Sequence, residues 1–210
     1  MQTMIKIGLG LGLVLGLISA SQAKAPTKQQ VLQWLTNKDT KLTGSKIEVT
    51  ETQPVVLASG EQAYLSAVDY PNGARNFSAG YILTRPDLQQ SRQLQDFLSQ
   101  GSGIKILSQK RKPTLVDIHQ YVTSAGEVHE KFSVVGFDGW HVKKYHSYAN
   151  INTMAARSEG PCEDTEVNIK LTEGPPAQIT ETTQSRRWSE CSDDGTLKNA
   201  QKSRHIKINW

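Results

Sequence analysis

Five histidines are the first candidates for chemistry in this 210-residue chain. Asp138–Gly139 is the strongest hairpin signal in the sequence, and a two-residue turn there would pair Phe137 with Trp140, Val135 with Val142 and Ser133 with Lys144. The same register sets Lys131 opposite His146 and His129 opposite Tyr148, so His129 and His146 become diagonal neighbours on one face and His141 points to the other. His119 could join them from the preceding hairpin, with Glu127 or Glu130 adding oxygen. A metal ion needs three or four ligands, however, and strand alternation turns Glu130 away from His129, so two histidines do not close a shell. Hydrogen-bonded or exposed sheet histidines are the expectation.

A nucleophilic relay can be written from Ser133, His129 or His146, and Asp117, but no GxSxG elbow or glycine-rich oxyanion loop accompanies it. A carboxylate pair of Glu127 or Glu130 with Asp138 competes with the turn-forming role of Asp138. Gly101 and Gly103 follow a predicted helix, the reverse of the strand, glycine loop and helix order of a dinucleotide site. The sequence therefore assigns no catalytic residue, no metal ligand and no cofactor.

Its aromatic residues point to binding. Alternation places Phe137, Trp140 and Tyr148 on one hairpin face and Phe132 and Tyr145 on the other, with Tyr121 nearby in sequence. One face belongs to the core, and an exposed second face would stack on a glycan or take a small apolar ligand. Trp188 beside Arg186 and Arg187 is a separate candidate for contact with a partner protein. The basic runs at Lys110–Lys112 and Arg186–Arg187 are short and the net charge is only +4, which argues against a nucleic-acid partner.

The elements that must position these residues read as α+β: a predominantly antiparallel sheet, two packed helices and a C-terminal hairpin clamped by a disulfide. The first helix is expected from a Thr27 cap through Lys38, with Val31, Leu32 and Leu35 on one face. The second is expected from Pro86 to about Ser99, with Leu88, Leu94, Phe97 and Leu98 apolar and its glutamines solvated. Strands are expected around Ser45–Ala58, bent or broken at Pro54, and at Glu61–Tyr70, Arg75–Thr84 and Ile104–Leu107. Further strands follow at Thr114–Val122, Val128–Phe137, Trp140–Tyr148, Glu163–Leu171, Ile179–Ser189 and Ser203–Trp210. Lys110–Pro113 is either a loop or an internal boundary near 108–113.

Lys6, the apolar run Ile7–Ile18 and the small residues up to Ala23 have the three parts of an export signal, and the run is too short for a stable transmembrane anchor. Removal of 1–23, or cleavage after Ala25, leaves roughly 190 residues, a length one extracytoplasmic domain at 24–210 can hold. Cys162 and Cys191 are the only cysteines, and an oxidising compartment would join them across the open base of the last hairpin. The sequence thus favours an exported, soluble binding or protein-interaction protein in the periplasm or outside the cell. An envelope structural or assembly role and an extracytoplasmic hydrolase are the alternatives.

Overall fold

A computed structural model describes residues 24–37, 46–73, 77–110, 112–124, 127–153, 161–191 and 197–208. The expected export signal at 1–23 and the terminal Trp210 lie outside the described residues. Among the described residues no helix is long and apolar enough to cross a membrane.

Helix α1 (Lys28–Gln33) begins where the sequence places it. Thr27 Oγ1 accepts from Gln30 N at 3.2 Å, and Gln30 Oε1 accepts from Thr27 N at 2.9 Å, a reciprocal capping box. The helix stops five residues earlier than expected, because Leu35–Asn37 goes extended as β1 and pairs parallel with β5 (Gln90–Gln93). Ser91 N donating to Trp34 O at 2.8 Å starts that pairing.

The second expected helix does not form, and the α+β class with two packed helices gives way to an all-β architecture. Pro86–Leu88 and Gln95–Phe97 are single 3-10 turns on either side of β5, and Gln89 between them takes the left-handed region at φ 49°. Its apolar residues never share one helical face. Leu94 and Phe97 enter the core between the two sheets, Leu98 packs on the opposite side of the first sheet, and Leu88 stays 47% exposed. The glutamines are not uniformly solvated either: Gln93 is buried, and its Nε2 donates to Tyr70 Oη at 2.6 Å.

The first sheet has five strands in the order β1-β5-β4-β3-β2, with β2 Glu48–Val56, β3 Gln62–Asp69 and β4 Ala79–Arg85. Pro54 is accommodated because β2 is an edge strand. The second sheet is an antiparallel meander of seven: β6 Gly101–Ser108, β7 Leu115–Ser124, β8 Glu127–Asp138, β9 His141–Asn152, β10 Cys162–Thr172, β11 Ala177–Trp188 and β12 Leu197–Ile208. Lys110–Pro113 joins two paired strands of that sheet. Beside it, Thr114 N donates to Val56 O and Ala58 N to Phe137 O, both at 2.8 Å, which stitches the sheets together.

Three apolar clusters follow. Leu57, Leu65, Tyr81, Leu83 and Phe97 of the first half pack against Val116, Ile118, Val135 and Phe137 of the second sheet. Val31 of α1 covers Val49, Val68, Tyr70 and Ile82 on the outer side of the first sheet. Within the second sheet, Leu115 and Val134 meet Ala177, Ile179 and Ile208, so β10–β12 fold over the inner face of β6–β9. The fold-over is permitted by a thin joint: β9 and β10 share only the pairs Asn152↔Asp164 and Ile151↔Thr165. Beyond that corner the two arms diverge, leaving a groove between them.

The β8–β9 hairpin is shifted from its expected register. The turn is Gly139–Trp140, with Gly139 at φ 56°, and Asp138 pairs with His141. Lys144 then pairs with Val135 and His146 with Val134, leaving Tyr145 as a β-bulge. Phe132, rather than His129, lies opposite Tyr148.

Candidate functional site

Strand β7 is buried on both faces, so its alternation has a chemical consequence. Val116 and Ile118 point into the core between the sheets, which sends Asp117 and His119 to the inner face of the folded sheet. Opposite them stand Lys105 and Gly103 on β6 and Val134 and Phe132 on β8, and Tyr148 on β9 follows Phe132. His119, Phe132 and Tyr148 form a stacked ladder across three strands, with centroids 4.6 and 4.7 Å apart and rings within 9° of parallel. His146 continues beside Tyr148 at 6.0 Å.

These residues floor a groove of about 350 Å³, walled on the far side by Glu166–Ile169 of β10. Asn150 bridges the two walls: its Oδ1 accepts from Val167 N at 2.8 Å, while its Nδ2 donates to Glu130 Oε2 at 2.9 Å. A second hollow of about 540 Å³ continues the groove past Asn150 and Glu130 to Asp164 and Arg186.

The electrostatics centre on Asp117, which is only 4% exposed. Tyr148 Oη donates to its Oδ2 at 2.5 Å, and Oδ1 has no hydrogen-bond partner among the described residues. Burial pushes the Asp117 carboxyl above its ordinary range, against the hydrogen bond from Tyr148 and the positive charge of Lys105. Burial and the Asp117 charge push the Tyr148 hydroxyl up in turn. His119 Nε2 is also buried without a hydrogen-bond partner among the described residues, with Glu130 Oε1 3.7 Å away.

Two structures brace the floor. Tyr81, reaching across from β4, wedges its hydroxyl into the β6–β7 ladder: it accepts from Gly103 N at 2.8 Å and lies between the carbonyls of Gly103 and His119. Deeper in the fold, Glu181 of β11 bonds His146 Nε2 at 2.6 Å and accepts from Arg204 Nε and Nη2 at 2.8 and 2.9 Å. Burial raises the Glu181 carboxyl, but hydrogen bonds from Arg204 and His146 outweigh it and hold the group below its ordinary value.

The fold disperses most of the other candidates. Phe137 is fully buried between the sheets. Trp140 packs at the edge of the same cluster, and the Arg85 and Arg92 guanidinium groups lie over its ring at 5.0 and 4.6 Å. Tyr148 stands in the groove. Trp188 ends β11 opposite Cys162, beside Arg187, which pairs with Glu163 at 3.2 Å; Arg186 pairs with Asp164 at the far end of the groove. Cys162 and Cys191 stand at the same open end of the β10–β11 hairpin, Cys191 three residues beyond the last paired residue of β11.

His129 and His146 do not converge. The bulge at Tyr145 reverses the parity of β9, so His146 takes the inner face, while His129 bonds Glu127 at 3.1 Å on the outer one. Ser133 is buried on that outer side, 3.4 Å from Ser147 Oγ, so a relay of Ser133, His146 and Asp117 is split by the sheet. Among the described residues no three His, Cys, Asp or Glu side chains gather to hold a metal ion. No family model, curated protein or solved structure matches the chain.

Proposed function

We propose that this chain is an exported binding protein whose ligand lies in the groove of the folded seven-stranded sheet. The observation that carries this reading is Asp117: a nearly inaccessible carboxylate with one oxygen unpartnered, in the wall of a hollow large enough for a small molecule. Leaving such a group unsatisfied costs about 1–3 kcal/mol, a burden a fold carries where a ligand relieves it. Half of the lining is polar, with Lys105, Asp117, Asn150, Glu166 and Asn168 around the aromatic ladder, and Glu130 stands in the adjoining hollow. It suits a polar ligand with a flat face better than a purely apolar one. The export signal and the paired placement of Cys162 and Cys191 support a periplasmic or secreted address and an intramolecular disulfide.

The test is a small-molecule fragment screen read by amide chemical shifts on the mature protein. The largest shifts are expected at Gly103–Lys105, Asp117–His119, Tyr148–Asn150 and Glu166–Ile169. Shifts confined to the Trp188 and Arg187 surface, or to the β12 edge, would refute the groove as the site.

A further inference from the structure

We propose that the empty place beside His119 above Gly103 receives a flat ring bearing a cationic nitrogen group, which stacks on His119 and directs its charge to Asp117. This inference rests on the groove reading and names its occupant. Gly103, His119, Phe132 and Tyr148 are successive cross-strand neighbours in one row over β6–β9. Three of the four carry rings stacked at 4.6 and 4.7 Å. Gly103 is the member with no side chain, and it leaves the outer face of His119 bare in the lining of the groove.

Nothing in the backbone explains that glycine. Gly103 does not lie at positive φ, and a Cβ built on it would meet only His119, Nδ1 at 3.7 Å and Cβ at 3.8 Å, ordinary contact distances. The approach of the Tyr81 hydroxyl does not demand it, since no Tyr81 atom lies within 4 Å of that Cβ position. Glycine weakens a strand interior and often marks a close approach by another group. Here the space it leaves is the thickness of one more ring in the ladder.

The surrounding charges select the occupant. Lys105 on β6 and the His119 imidazole face Asp117 on β7 and Glu166 on β10, β9 contributes the neutral Tyr148 and Asn150, and Glu130 of β8 stands beside the groove with its Oε1 3.7 Å from His119 Nε2. With the neighbouring Glu130 counted, three carboxylates stand against Lys105 and the imidazole, and Asp117 Oδ1, buried without a partner among the described residues, is an acceptor that a donor reaching in from the groove would satisfy. Two residues along a strand span roughly 6.6 Å, so a ring over Gly103 with one exocyclic amidine reaches the Asp117 row.

Benzamidine and benzoate share a ring and differ in charge, and both are titrated into the mature protein by calorimetry and by ligand-observed NMR. Benzamidine is expected to bind at least about tenfold tighter than benzoate, since a charge-assisted hydrogen bond supplies that much. Gly103→Val, which fills the slot, and His119→Ala, which removes the stacking face, should each weaken benzamidine by about tenfold. Thermal melts establish that each variant is folded before titration. Equal or tighter binding of benzoate, or unchanged benzamidine affinity in both folded variants, overturns the proposal. If other fragments fill the groove while benzamidine avoids it, this inference fails and the groove reading stands. If nothing perturbs the groove, both fail.

Discussion

Replacing Tyr148 with Phe tests the central pair of the groove, because it deletes one hydroxyl and leaves the ring ladder in place. The lost bond is the 2.5 Å donation to Asp117 Oδ2, and Oδ1 has no partner to compensate, so the buried carboxylate is left without a donor. A hydrogen bond to a charged group contributes about 1.5–3 kcal/mol, which sets the expected loss near neutral pH at roughly 2–3 kcal/mol. For a domain of this size that lowers Tm by roughly 4–12 °C. The pH dependence gives the sharper check. Burial already lifts the folded Asp117 above its free value of 3.8, and Tyr148 restrains the rise. A carboxyl raised by folding binds more protons in the native state, so its contribution to stability falls as pH climbs from the unfolded value through the folded one. Tyr148→Phe extends that window upward. The gap between wild type and variant should therefore widen as pH climbs through the raised folded value, from about 1 kcal/mol where both partners are neutral to its full size where Asp117 is ionised. Urea unfolding followed by tryptophan fluorescence from pH 4 to 8 measures it, with Asp117→Asn completing a double-mutant cycle. A penalty independent of pH, or one that Asp117→Asn leaves intact, would refute the assignment of Asp117 and Tyr148 as an energetic unit.

Glu181→Gln should cost about 2 kcal/mol at pH 7, at the low end for a buried charge pair because Arg204 is largely exposed. Since the folded Glu181 is held below 4.5, its contribution is complete above that value and fades as pH falls through the lowered one, so the variant and wild type should converge in acid denaturation once pH is below the lowered value. Intact mass of the mature protein, with and without reduction before alkylation, should reveal one intramolecular bond between Cys162 and Cys191. Closing a loop of about 29 residues stabilises the chain by roughly 3–4 kcal/mol, so Cys162→Ser should lower the urea midpoint accordingly, and two thiols alkylated without reduction would dismiss the crosslink. Thr27→Ala removes the capping box of α1 and should cost about 1 kcal/mol in the same assay.

Local chemistry was legible in parts of the chain. The Thr27 cap, the edge position implied by Pro54, the β10–β11 hairpin and the alternating Ile206 and Ile208 of β12 all follow from short-range rules, and the structure places each accordingly. The segment from Pro86 to Ser99 misled because a proline followed by an acid and spaced leucines imitates a helix start. Its outcome was decided by partners outside it: β4, the strand just before it, pairs with Gln90–Gln93 as a hairpin, the distant β1 pairs with their other edge, and the core between the sheets takes Leu94 and Phe97. No window of that segment contains those partners.

The groove was hidden for a related reason, and the case turns on a single residue. Asp117 and His119 alternate with Val116 and Ile118 in plain view, and an acid on a doubly buried strand is itself a signal of an interior site. Which aromatic residues join them depends on the β8–β9 register, and Tyr145 changes it by bulging. A regular hairpin turning at Asp138–Gly139 would set His129 across from Tyr148, and the observed turn without a bulge would set Lys131 there. With the bulge, Phe132 meets Tyr148, His146 turns inward to Glu181, and the Tyr148 hydroxyl comes within reach of Asp117. A one-residue slip exchanges the faces of everything beyond it. The bulge therefore does more than relieve a strand: it selects which face of β9 carries the chemistry. Gly103 completes the arrangement from the opposite side, by contributing no side chain where the ladder has space for one more ring.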